Sequence, residues 1–169
     1  MCNLCVIFNP YMKVFTLSVA CLLWSVCCFG QKSLISYDDI KYLLHNNLLH
    51  ADTFLVAKGY LLTKKDNANK NRSYSLTMQG GTHSSINVRS DGKRLFIEIE
   101  TNEVDQYNMI RESIAQYLNK DAMVADVQTY TVKDLGSIYI TINDTIPYDP
   151  LKKDYDIQII PDKHITAYN

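Results

Sequence analysis

No cysteine follows residue 28: Cys2, Cys5, Cys21, Cys27 and Cys28 account for all five in a chain of 169 residues. Everything after them therefore cannot form a disulfide, bind a metal through thiolate or use a cysteine nucleophile. An excess of charge of either sign is missing as well, since 17 Lys and Arg against 18 Asp and Glu leave a net charge of -1. Without a basic stripe there is nothing to hold a nucleic acid backbone. A phosphate loop is missing too, because Gly80-Gly81-Thr82 has neither the lysine nor the spacing such a loop needs. Ser84 and Ser85 have no nucleophile elbow around them. Asn67, Asn69, Asn71 and Ser73 alternate like the start of a calcium loop, but Arg72 stands at the sixth position and Met78 at the twelfth. Those positions require glycine and a bidentate glutamate, so the stretch reads as a solvated turn. His45 and His50 are five apart, His83 lies beside glycines and His164 near the end. No pair has the four-residue spacing that puts two imidazoles on one helix face. No metal and no cofactor is expected.

One absence becomes a feature. From Val14 to Phe29 there is no charged residue, and the run carries Leu17, Val19, Leu22, Leu23, Trp24 and Val26. Lys13 precedes it, and Gly30-Gln31 follow. A basic flank, a short apolar run and small residues at its end describe a secretory signal. Membrane spans need about 20 apolar residues, so the run is short for an anchor. The expected division is a signal peptide over 1–30 and one domain over 31–169, with Met12 before Lys13 a more conventional start than Met1. A lipoprotein is the alternative, with Cys27 or Cys28 as the lipidated residue. The residues ahead of them, Trp24-Ser25-Val26, do not follow the usual leucine and small-residue pattern. Membrane contact is expected only through this leader, if it is uncleaved or lipidated.

Ser36 ahead of Asp38 and Asp39 reads as a helix start, and Ile40, Leu43, Leu44 and Leu48 recur at helical spacing. Asp52 would cap a second short helix over 53–58, stopped by Gly59. From Tyr60 the period shortens to two. Tyr60 to Thr63 reads as a strand, Lys64 to Arg72 as a polar turn, and Tyr74, Leu76 and Met78 share one face of the next strand. Ile86 and Val88 begin another, and Asp91-Gly92 is a hairpin turn before Leu95, Ile97 and Ile99. A helix over 104–118 then places Val104, Tyr107, Ile110, Ile114, Tyr117 and Leu118 on one stripe. Val127 to Val132 and Ser137 to Ile142 flank the turn at Lys133 to Gly136; Tyr155 to Ile160 follows the loop from Pro147 to Pro150.

Helices thus precede a run of strands twice. The expected fold is α+β: a two-layer sandwich with an antiparallel sheet, two helical segments on one face and an α-β-β-β pseudo-repeat. The stretch Ala51 to Tyr60, with a leader ending Phe29-Gly30-Gln31, resembles small exported proteins of Bacteroidota. That resemblance implies an envelope location and no activity. The plan of helices before a sheet is also similar, as a fold, to the repeats of beta-lactamase-inhibitor-like domains, which are binding modules. In a bacterial exported protein, Asn71-Arg72-Ser73 and Asn143-Asp144-Thr145 match the glycosylation pattern without being modified.

Two sets of residues carry candidate chemistry. Glu98 and Glu100 point the same way from one strand, about 7 Å apart. Paired carboxylates can act as acid and base, but they also stand where alternation places the wet face opposite Leu95, Ile97 and Ile99. Twelve tyrosines are a compositional excess. Tyr130 and Tyr139, if they share the outer sheet face, form a candidate interaction surface for a protein or ligand. The expected function is a non-enzymatic envelope binding module for an unknown envelope protein or ligand. The alternative is a small extracytoplasmic hydrolase using Glu98 and Glu100, which requires a cleft around them.

Overall fold

The computed structural model describes residues 34–78, 80–122, 126–143 and 153–167. The expected signal peptide over 1–30, where all five cysteines fall, and the expected loop from Pro147 to Pro150 lie outside them. Among the described residues no helix is long and apolar enough to cross a membrane.

Ser36 caps the first helix as its position implies. Its Oγ accepts from Asp39 N–H (3.2 Å) while Asp39 Oδ2 accepts from Ser36 N–H (2.8 Å), a reciprocal pair that satisfies two orphan donors. The helix, α1 (Tyr37–Leu44), buries Ile40, Leu43 and Leu44. Here the sequence reading needs correction: a second helix, α2 (Leu48–Ala57), starts at Leu48 and not after Asp52. Asn47 is its cap, accepting from both Leu49 and His50 N–H. A competent cap outcompetes continuation of the helix, and it frees Asp52 for another task. Gly59 ends α2 as expected, at φ +97°, with Tyr60 N–H returning to the Leu55 carbonyl at 3.0 Å.

Four strands follow: β1 (Leu61–Asp66), β2 (Asn71–Thr77), β3 (His83–Ser90) and β4 (Leu95–Thr101). The first turn is tighter than its composition suggests, closing over 67–70, because Asp66 accepts from both Asn69 N–H and Asn69 Nδ2. Helix α3 (Val104–Ile114) is shorter than expected. It passes through a 3-10 turn (Ala115–Tyr117), after which Leu118 is extended and bridges to Tyr130. Val104 and Tyr117 are therefore exposed while Tyr107, Ile110 and Ile114 are buried. The chain ends in β5 (Val127–Val132), β6 (Gly136–Asn143) and β7 (Asp154–Ile160).

All seven strands form one antiparallel sheet in the order β1-β2-β3-β4-β7-β6-β5. The fold is α+β, and the two strand runs meet last strand to last strand at β4 and β7. Alternation decides the core: Leu95, Ile97 and Ile99 are buried while Phe96, Glu98 and Glu100 are not. Ile86 and Val88 of β3, Ile138 and Ile140 of β6, and Ile157 and Ile159 of β7 join them, together with Leu43 of α1, Leu55 of α2 and Ile110 of α3.

Three polar anchors fix the helices. Gln106 of α3, fully buried, bonds Ile35 on both sides: Ile35 N–H donates to Oε1 (2.7 Å), and Nε2 donates to the Ile35 carbonyl (2.8 Å). Lys58 Nζ reaches Asp39 Oδ2 at 2.5 Å and the Leu34 carbonyl at 3.0 Å. Asp52 accepts from the hydroxyl of buried Tyr74, and Arg72 Nε lies 3.6 Å from the same carboxylate. Burial and that carboxylate together push the Tyr74 hydroxyl far above the ordinary tyrosine range.

Candidate functional site

Residues paired across antiparallel strands share a face, so the register turns β2, β3, β4, β7 and β6 into rows of side chains. The face opposite Ile97 carries three. The first runs Asn71, Arg89, Phe96, with Ile160 beside them. The second runs Ser73, Asn87, Glu98, Gln158, Tyr139. The third runs Ser75, Ser85, Glu100, Asp156, Thr141. Successive rows are about 7 Å apart. Charge is sorted along the strands, with the guanidinium in the first row and all three carboxylates in the second and third.

Hydrogen bonds hold these side chains in place. Asn87 Nδ2 donates to Glu98 Oε2 (3.0 Å), Gln158 Nε2 donates to Asp156 Oδ2 (2.9 Å), and Ser85 Oγ donates to Glu100 Oε2 (3.3 Å). Arg89 lies over the Phe96 ring at 5.0 Å, and Arg94 sits 5.2 Å from the same ring. Arg94 is neutralised by Asp91 at 2.9 Å, whereas Arg89 has no carboxylate partner among the described residues. Asp156 is the electrostatically stressed member of the set. Burial raises its pKa above the ordinary aspartate value, Glu98 and Glu100 raise it further, and the Gln158 hydrogen bond works against them.

A shallow depression of about 460 Å³ opens over the first two rows, lined by Asn71, Asn87, Arg89, Phe96, Glu98 and Gln158 among others. Asn71 Oδ1 at the depression and Asp156 Oδ1 outside it are shielded from solvent and take no hydrogen bond among the described residues. Glu98 borders the depression and Glu100 does not, so the two carboxylates expected to work as a pair do not face one cleft.

The two tyrosines also part company. A hairpin closing Val132 on Gly136 sets Tyr130 opposite Ile138 and Tyr139 opposite Thr129. Tyr130 therefore points to the buried side, is 2% exposed and donates its hydroxyl to Gln128 Oε1 at 2.8 Å. Its burial raises its pKa, with Arg111 opposing the rise. Of the two, only Tyr139 is on the polar face, next to Gln158. A shared aromatic surface built from Tyr130 and Tyr139 is thus corrected to a polar surface with Tyr139 at its margin.

Among the histidines, His45 and His164 meet across a second depression of about 260 Å³, with Lys41, Lys133 and Asp134. Lys41 Nζ bonds Asp134 Oδ2 there at 3.0 Å, which lowers the pKa of that carboxyl. Among the described residues no three His, Cys, Asp or Glu side chains converge as metal ligands. Arg89, Gln158 and Asp156 went unnoticed in the sequence, and Asn71 was read there only as part of a turn, since nothing signals which strands will be neighbours.

This polar face offers fixed donors and acceptors side by side, with the Arg89 guanidinium among them. It can recognise a polar ligand or surface. No protein family, no curated protein and no solved structure matches this chain.

Proposed function

We propose that the chain is an exported envelope protein whose domain is a non-enzymatic binding module, and that it binds through the β3-β4-β7 face. The helices, on this reading, cover the opposite face and leave this one free for a partner. The observation that carries the reading is the charge-sorted polar face: an unpaired Arg89 held on Phe96, about 7 Å from a Glu98 held by Asn87 and Gln158. Side chains fixed before a ligand arrives lose little entropy on binding it. The ligand would place an acceptor or anionic group on Arg89 and hydroxyl or amide donors on Glu98. Glycan hydroxyls and peptide amides both have that chemistry. Export is supported by the leader's pattern of Lys13, the uncharged run and Gly30-Gln31.

The test is capture from solubilised envelope fractions by the full-length protein, run beside an Arg89→Ala/Glu98→Gln variant. Material retained by the native face and lost from the variant supports the reading. Equal retention by both removes the face from the account.

A further inference from the structure

The two edges of the sheet are treated differently. At the β5 edge the chain covers itself: Leu118 bridges Tyr130, Asn119 N–H donates to the Thr129 carbonyl at 2.9 Å, and Thr129 Oγ1 donates to the Ala122 carbonyl at 3.2 Å. At the β1 edge no described residue pairs with the outer side of Leu61–Asp66. An edge left open presents a row of free backbone donors and acceptors, and proteins usually ring such an edge with polar side chains.

Here the edge is apolar at one end only: Leu61 and Leu62 begin β1, and Thr63, Lys64, Lys65 and Asp66 follow. Helix α2, which packs against β1, carries apolar residues on every side. Its core side is Ala51 and Leu55, and Phe54 meets Tyr42 of α1 with ring centroids 4.9 Å apart. The other flank carries Leu49 and Val56, 71% and 55% exposed. At about 100° per residue these two lie 40–60° round the helix from Asp52, which reaches Tyr74 of β2. Leu62, 41% exposed, stands opposite Tyr74 and so on the same side of the sheet. Among the described residues, five of the eight large exposed apolar residues (Tyr42, Leu49, Val56, Leu61 and Leu62) fall within 42–62. Charge is one-sided as well. The hairpin exposes Lys64, Lys65 and Lys70, none with an ion-pair partner among the described residues, against Asp66, already occupied by Asn69.

We propose that the β1 edge is a docking strand for an extended segment of another polypeptide. The incoming backbone continues the sheet beyond β1. Its side chains toward α2 are apolar, covering Leu49, Val56 and Leu62, and those on the opposite side are acidic and meet Lys64, which shares its face with Ser73. Main-chain pairing supplies affinity in such an arrangement, and alternate side chains supply selection. The bulge between Leu62 and Lys64 divides the edge, and an incoming strand pairs on either side of it. This surface is separate from the β3-β4-β7 face and does not depend on it.

The probe is an end-blocked ten-residue peptide of alternating valine and glutamate, fluorescently labelled and titrated with the full-length protein. A valine and lysine peptide is the control. Saturable binding of the acidic peptide is expected, weakened at least tenfold by Lys64→Glu and by Leu49→Ser/Val56→Ser, and unchanged by Arg89→Ala. These positions are exposed, and circular dichroism checks that each variant stays folded. Equal binding of the basic peptide overturns the proposal, as does no saturation at millimolar concentration. Two other results also overturn it. One is a protein that sediments as a dimer until Leu62→Asp is introduced, which makes the edge a self-interface. The other is acidic-peptide binding abolished by vesicles of anionic phospholipid, which makes it a lipid contact.

Discussion

Replacing Gln106 by leucine tests how far one side chain of α3 secures the start of the domain. Gln106 has no exposed surface and bonds both backbone groups of Ile35, itself fully buried. Leucine fills a similar volume but leaves an N–H and a carbonyl without partners in a dry site. Each orphaned group costs about 1–3 kcal/mol, and the added apolar burial returns about 1 kcal/mol. The expected net loss is about 3 kcal/mol, a large share of the 5–15 kcal/mol typical of a domain. Urea unfolding followed by circular dichroism should show a lower midpoint at unchanged slope. A change below about 1 kcal/mol would refute the reasoning, because it would mean Ile35 finds other partners at no cost. Gln106→Glu adds a sign to the test. Its ionised carboxylate could accept from Ile35 N–H but would face the Ile35 carbonyl with no proton to donate. Its folded pKa is therefore raised, and above that value the variant carries the full penalty. Stability should return as pH falls through the raised value, and wild type should show no such slope from this site.

Three further outcomes follow from single contacts. Gly136→Ala would place a Cβ 2.3 Å from the Ile160 carbonyl oxygen at φ +99°; strain and displacement of β7 should lower stability by about 2–4 kcal/mol in thermal unfolding. Tyr74→Phe removes the hydroxyl that donates to Asp52 and should cost about 1–3 kcal/mol by the same denaturant assay. Asp156 has a raised folded pKa, so its native form holds its proton more tightly than the unfolded chain does. Wild-type stability should therefore fall as pH rises from the ordinary aspartate range through the raised value, and Asp156→Asn should flatten that fall and be no less stable at pH 7.

The strands with strict alternation could be read from the chain. In β4, Leu95, Ile97 and Ile99 turn inward as their spacing requires, and Asp91-Gly92 and Gly59 sit at the turn and cap their backbone freedom suits. What could not be read depends on competition or on register. The α1–α2 break follows from Asn47 capping better than Asp52, a contest settled only when Asp52 finds Tyr74. Tyr130 looked equivalent to Tyr139 until the hairpin fixed its partner as Ile138. The open face is built from β2, β3, β4 and β7, and the pairing of β4 with β7 joins residues some 60 positions apart. No local pattern announces that Glu98 will meet Gln158. Polar residues chosen by long-range register look, in one dimension, like any wet strand face.

The most direct test of the binding face is a backbone amide shift map of the full-length protein with its captured envelope ligand. The account predicts perturbations centred on Asn71, Asn87, Arg89, Glu98, Gln158 and Tyr139, and their loss in the Arg89→Ala/Glu98→Gln variant. Perturbations confined to other surfaces, or unaltered in that variant, would contradict it.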